Sequence, residues 1–173
     1  MNLILEDITG SILQAIELLE SIEPGLYTKT APPVYFSGIG AHLRHNIDHY
    51  HCFLSGATSG RIDYDARNRD VRLERDRIVA LELLRGAMAD FSQLGAEALD
   101  QAVEVKVDCG RHAGWSRSTI RRELQFLLSH TVHHYAVIAM ICHLNGHEPG
   151  AGFGVAPSTL KYRETLQSRA CAR

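Results

Sequence analysis

The sequence predicts an all-α fold, a four-helix bundle with a long crossover between its second and third helices and a short C-terminal extension. Three observations predict it. Apolar residues recur at helical spacing in four long stretches, a polar segment separates the second stretch from the third, and only one short segment alternates as a strand would.

From Leu3 to about Ile22 the residues Leu5, Ile8, Ile12, Ile16 and Leu19 mark one apolar face, and the EPG at 23–25 supplies a stop. The following LYTKTAPPVYF holds two adjacent prolines and cannot be helical throughout. Helical spacing returns from Ser37 to Gly56, along Ile39, Leu43, Tyr50 and Phe53. Residues 57–72, ATSGRIDYDARNRDVR, are polar and long for a turn between packed helices, which implies the crossover. A third helix is predicted from Leu73 to about Leu94 along Ile78, Leu81, Leu84, Met88 and Phe91. AVEVKVD at 102–108 alternates as a short strand, which would need a partner. The last long helix runs from about Ser118 to Leu144 and is stopped by Asn145 and Gly146. The tail from Glu148 begins Gly- and Pro-rich and is predicted to end in a short helix opened by Ser158.

With 173 residues we expect one domain, 1–173, able to bury an ordinary core. A net charge of −2 offers no field that would gather nucleic acid or anionic lipid, so the expected partner is a small-molecule substrate. No apolar run reaches membrane-spanning length and the start carries acidic residues in place of a basic leader, so a cytoplasmic protein is expected. Cys52, Cys109, Cys142 and Cys171 show no CxxC pairing, which predicts reduced thiols and neither a disulfide framework nor a zinc ribbon. A cysteine nucleophile lacks an activating neighbour in the sequence.

Histidine is the informative residue. Of ten, seven fall in two stretches: His42, His45, His49 and His51, then His130, His133 and His134. At about 100° per residue, His130 and His134 lie about 40° apart, at the edge of the stripe formed by Leu124, Leu127, Thr131, Tyr135 and Ile138, while His133 turns outward. His42, His45 and His49 fall within about 60° of one another beside the stripe of the second helix, and His51 turns away. Clustered inward imidazoles cost free energy unless their nitrogens are satisfied, and a divalent metal satisfies them while keeping them neutral. An i, i+4 pair plus a third histidine from another helix leaves a coordination position for water or substrate. Asp48, three residues after His45, is placed to accept a ring N–H, with Glu123 as a more distant alternative. Spacing asks nothing special of His51, His112, His133, His143 or His147.

HNID at 45–48 and HTVHH at 130–134 resemble the His-x-x-Asp and His-x-x-x-His motifs of the DinB-like superfamily of small bacterial four-helix proteins. The resemblance covers about Leu3 to Leu144 as an order of helices. It implies metal ligation by His45, His130 and His134, with His42 and His49 as rivals for the first position. It also implies self-association as a homodimer, and chemistry of the thiol-dependent transfer or isomerisation kind. The expected function is therefore a metalloenzyme whose ion activates a low-molecular-weight thiol or water, with Arg61, Arg67, Arg69 and Arg72 of the crossover available to receive carboxylates of a thiol cofactor. The alternatives are a metal-dependent hydrolase, a non-catalytic metal-binding or stress-related module whose ion pins helices together, and a dimer interface tuned by histidine protonation. Imidazole ligands suit zinc or nickel, and also iron, cobalt or copper.

Overall fold

The computed structural model describes residues 3–108, 110 and 114–171, with the side chains of 169–171 excluded. The expectations for Cys109, His112 and the Cys171 thiol lie outside the described residues.

Four long helices form the bundle: α1 (Leu3–Ser21), α3 (Ile39–Ser59), α5 (Arg77–Ser92) and α6 (Ile120–Leu144). Helix α1 packs on α5 and α6, and α3 packs on the same two, so α1 and α3 sit on one diagonal. The predicted stripes are the core: Ile39, Leu43, Tyr50 and Phe53 are fully buried, as are Leu124, Leu127, Thr131, Tyr135 and Ile138 within 1%. Between them lies a buried polar link, in which the Tyr50 and Thr131 hydroxyls meet at 2.7 Å and the Tyr135 hydroxyl donates to the Ser11 carbonyl of α1 at 3.0 Å.

The expected all-α class needs correction, because a three-stranded sheet is built onto one end of the bundle. Strand β1 (Arg61–Asp63) runs parallel to β2 (Ala102–Lys106), and β2 pairs antiparallel with β3 (Trp115–Thr119), with Ala102 opposite Thr119 and Lys106 opposite Trp115. The predicted strand at 102–108 thus finds partners on both sides. The residues that supply them were hidden by polarity: RID lay inside the crossover and WSRST shows no apolar alternation.

The crossover is correspondingly more structured than expected. Helix α3 runs past Gly56 and stops at Gly60, whose left-handed φ of 76° closes the helix. Gly56 is needed for another reason: a Cβ there would lie 2.5 Å from the Arg61 carbonyl oxygen, so its absence lets β1 turn back against the helix. After β1 the chain buries Tyr64 and reaches the short α4 (Arg72–Arg75). Asp76 then breaks the helix and caps α5, accepting from the backbone N–H of Ile78 and Val79. Within α5 the buried stripe is Ala80, Leu81, Leu84, Ala87 and Phe91, and Ile78, expected on the apolar face, lies about 130° round the wheel from its centre and is 54% exposed.

Two smaller helices flank the bundle, α2 (Pro24–Tyr27) after the first helix and α7 (Pro157–Cys171) in the tail. Before α7 the tail docks on α6: Phe153 stacks on Tyr135 with centroids 4.6 Å apart, and Gly154 lies so close that a Cβ would meet the Ala136 nitrogen at 2.7 Å. Helix α6 begins directly from β3, with the Thr119 side chain accepting from the Arg122 N–H. The sheet therefore joins the C-terminal end of α3 to the N-terminal end of α6, the two helices that carry the histidines.

Candidate metal centre

Helices α3 and α6 run antiparallel, so their histidines interleave. His42 meets His134, His45 meets both His134 and His130, and His49 meets His130, with ring centroids 5.3, 4.5, 4.9 and 4.4 Å apart. Ring nitrogens of His45, His49 and His130 all lie within 4.8 Å of one another, close enough for one ion to bind all three. His134 adjoins the group, 4.7 Å from His130 by centroid, and its Nδ1 is 3.0 Å from Nδ1 of His42.

Hydrogen bonds fix which lone pairs are available. His49 Nδ1 lies 2.8 Å from the His45 carbonyl, which can only accept, so Nδ1 carries the proton and Nε2 presents its lone pair. Nε2 of His130 is buried and has no hydrogen-bond partner among the described residues. A buried ring nitrogen without a partner is costly, and its position among other imidazoles is what a bound cation would explain. His45 differs, because Arg67 Nη1 donates to its Nδ1 at 3.2 Å. An ion on Nδ1 would displace the guanidinium; an ion on Nε2 would leave Nδ1–H facing it. Either way Arg67 must move when a cation binds. The donor set thus fits a divalent ion.

The electrostatics agree. Burial, followed by the charges of neighbouring histidines and Arg67, pushes His45 down to about 3. Burial first, then His49, His133 and Arg67, lowers His130 to about 4, and burial with His130 and His42 lowers His134 to about 3. His42 and His49 are also lowered, chiefly by burial. His45, His130 and His134 are therefore neutral near pH 7 and offer unprotonated ring nitrogens as ligands.

Asp48, expected beside the ring of His45, bonds elsewhere: Oδ1 accepts from the Arg69 backbone N–H at 3.3 Å and Oδ2 lies 3.8 Å from Arg44. It tethers the crossover at Arg69, a residue held at the left-handed φ of 52°. Glu123 accepts from Ser118, 2.6 Å away. Among the crossover arginines only Arg67 touches the site; Arg72 pairs with Asp70, and Arg61 lies over the Trp115 ring. His133 and His143 are exposed, His147 lies 3.3 Å from Ser21, and His51 lines a separate surface cleft. Burial pushes the thiols of Cys52 and Cys142 up to about 11, away from nucleophilic use.

Spacing missed the aromatic wall. Tyr64 stacks on His49 and Phe126 on His130, at 5.4 and 5.5 Å, and the two rings touch at 5.2 Å. Phe126 stands four residues before His130, so a helical wheel could have found it; Tyr64 arrives from the crossover, where no periodicity could place it.

No family model matches the chain. A curated relative, FK506-binding protein 5 of Rhizopus delemar, is 32% identical over 104 residues, which cover 58% of this chain and 27% of that protein. The chain therefore spans little more than a quarter of that relative's length. A solved structure of a DinB-like protein from Bacillus subtilis superposes with a TM-score of 0.62 at 20% identity, covering 84% of this chain and 93% of the other. The chain has the DinB-like fold.

Proposed function

We propose that this DinB-like bundle holds a divalent metal ion on His45, His130 and a third imidazole, and uses it as a metalloenzyme centre. The observation that carries the proposal is the buried, unpartnered Nε2 of His130 inside a group whose nitrogens lie within 4.8 Å. Proximity favours His49 as the third ligand, and the motif resemblance favours His134. Zinc or nickel suits an imidazole set.

When bound, the ion would lower the pKa of a thiol or water in its open position, so that the nucleophile exists near neutrality. The chain's own residues supply the rest. Tyr64 and Phe126 exclude water from one side of the histidines. Arg67, released from His45, is available to pair with a carboxylate of the incoming molecule. Thiol-dependent transfer is the leading reaction class, by resemblance, and hydrolysis the next.

A second reading rests on His134, whose ring adjoins both His45 and His130. A fourth imidazole would close the shell and make the ion a structural pin.

Elemental analysis of untagged, chelator-free protein tests both. About one ion per chain, absent in His45→Ala and His130→Ala while those variants stay folded, supports the site; no uptake of zinc or nickel by the native chain refutes it. The same measurement on His49→Ala and His134→Ala identifies the third ligand. Loss in both, with no exchangeable water on a cobalt-substituted sample, selects the closed shell.

A further inference from the structure

A cleft of about 660 Å³ lies between the β2–β3 hairpin and the first turns of α6, lined among others by Tyr64, Trp115, Arg117, Arg122, Glu123 and Phe126. It shares a wall with the histidine cluster, because Tyr64 and Phe126 are also the rings that stack on His49 and His130.

The polar groups of this cleft are unpaired in a specific way. Glu123 is only 6% exposed, and its Oε1 accepts from the Ser118 hydroxyl at 2.6 Å. Among the described residues it has no ion-pair partner. A buried carboxylate without a cation is costly, and a ligand that brings one would relieve it. The Tyr64 hydroxyl, 1% exposed, lies beside the Glu123 carboxylate without meeting it at full hydrogen-bonding geometry; burial first, then the charge and hydroxyl contact of Glu123, push its pKa up, and the Arg122 charge opposes them. At the rim Arg117 and Arg122 are exposed, and neither has an ion-pair partner among the described residues. Val105, Val107, Trp115 and Phe126 supply apolar walls. An anionic floor, a cationic rim and apolar sides together complement a zwitterion with a hydrocarbon arm.

We propose that this cleft binds a small molecule bearing an α-amino-acid head, its ammonium on Glu123 and its carboxylate on Arg122, with the rest of the molecule directed past Phe126 toward His130. The inference deepens the metalloenzyme reading by naming a substrate class, but the binding step itself requires no ion.

The chain's single tryptophan, Trp115, lines the cleft and reports on it directly. The experiment follows Trp115 emission in metal-free protein, in chelator, against norleucine and against the two molecules that each lack one charged group, hexanoate and pentylamine. A saturable change with norleucine is expected, with both truncated probes weaker by roughly tenfold. Glu123→Gln should weaken norleucine about tenfold and leave hexanoate unchanged, whereas Arg122→Ala should weaken norleucine and leave pentylamine unchanged. No saturable change with norleucine overturns the proposal, as does wild-type affinity in both variants. If circular dichroism shows that Glu123→Gln does not fold, the exposed Arg122→Ala with its own probe pair decides alone. Because the samples contain no metal, failure here leaves the histidine centre standing, and a chain that takes up no ion can still pass this test.

Discussion

Helices α3 and α6 bury two polar groups side by side, and they are built in opposite ways. The Tyr50, Thr131, Tyr135 and Ser11 link is closed: each hydroxyl meets an oxygen of the protein at 2.7 or 3.0 Å. The histidine cluster, one face round on the same helices, is open, with rings in contact, one buried nitrogen orphaned and an arginine leaning on another. The closed group specifies how the helices pack, and the open one brings ligand nitrogens together without pairing them all among the described residues. An orphaned atom alone does not make a site, however. Asn46, on the core stripe of α3, leaves both amide atoms unpartnered, and nothing in the packing explains it. Convergence of several ligand atoms distinguishes the histidines.

The largest expected effect separates the two groups by what they bind. His130→Ala should weaken metal affinity by about 100-fold or more, roughly 3 kcal/mol, while the unfolding free energy of the metal-free protein changes little. Metal titration and urea unfolding on the same sample check this; equal losses in both would make His130 a structural residue like Tyr50.

Acid should act on the open group first. His45, His130 and His134 are depressed to about 3, 4 and 3, below the ordinary histidine value, so the unfolded chain binds more protons than the folded one. Their contribution to stability is complete above pH about 6.5 and is lost as pH falls through that value toward 4. The urea midpoint of metal-free protein should therefore drop between pH 7 and pH 5, and less so in His45→Ala/His134→Ala; a flat midpoint in the native chain would contradict the burial of these rings.

Opening the closed group has a smaller, purely structural effect. Thr131→Val leaves the Tyr50 hydroxyl buried without its partner and should cost about 1–3 kcal/mol of stability with metal affinity within about twofold of the native value. Calorimetric unfolding and metal titration together test it. The smallest effect is a gain: Arg67→Ala removes a guanidinium 3.2 Å from His45 and should tighten metal binding several-fold, about 1 kcal/mol, since that cation must otherwise be displaced. Weaker binding in this variant would mean that Arg67 supports the site.

Much of the closed region was legible in the sequence, because core stripes follow a helical period and Leu43, Tyr50, Leu124 and Tyr135 fall where that period places them. The period also brought His45 and His130 to facing helices, and it put His42, His49 and His134 beside them. It could not choose among five imidazoles, since rings within reach of one another differ only in lone-pair direction, and that depends on hydrogen bonds such as His49 to the His45 carbonyl. The sheet was not legible beyond β2, because β1 and β3 are three and five residues long and mostly polar, and they are fixed by pairing. Tyr64 and Arg67 reached the histidines by the same crossover, whose path follows from β1 and from Asp48 anchoring Arg69.

Glu123, Phe126 and His130 stand on one helix, so the interval from the carboxylate to the imidazole is a matter of counting residues. Seven positions at about 1.5 Å each give a rise of roughly 10 Å along α6, and a rigid helix does not stretch. A molecule gripped at Glu123 and reacting beside His130 must be about that long between its two ends. The helix thus works as a ruler: shorter amino acids would sit in the cleft and never reach the histidines, and longer ones would have to fold back.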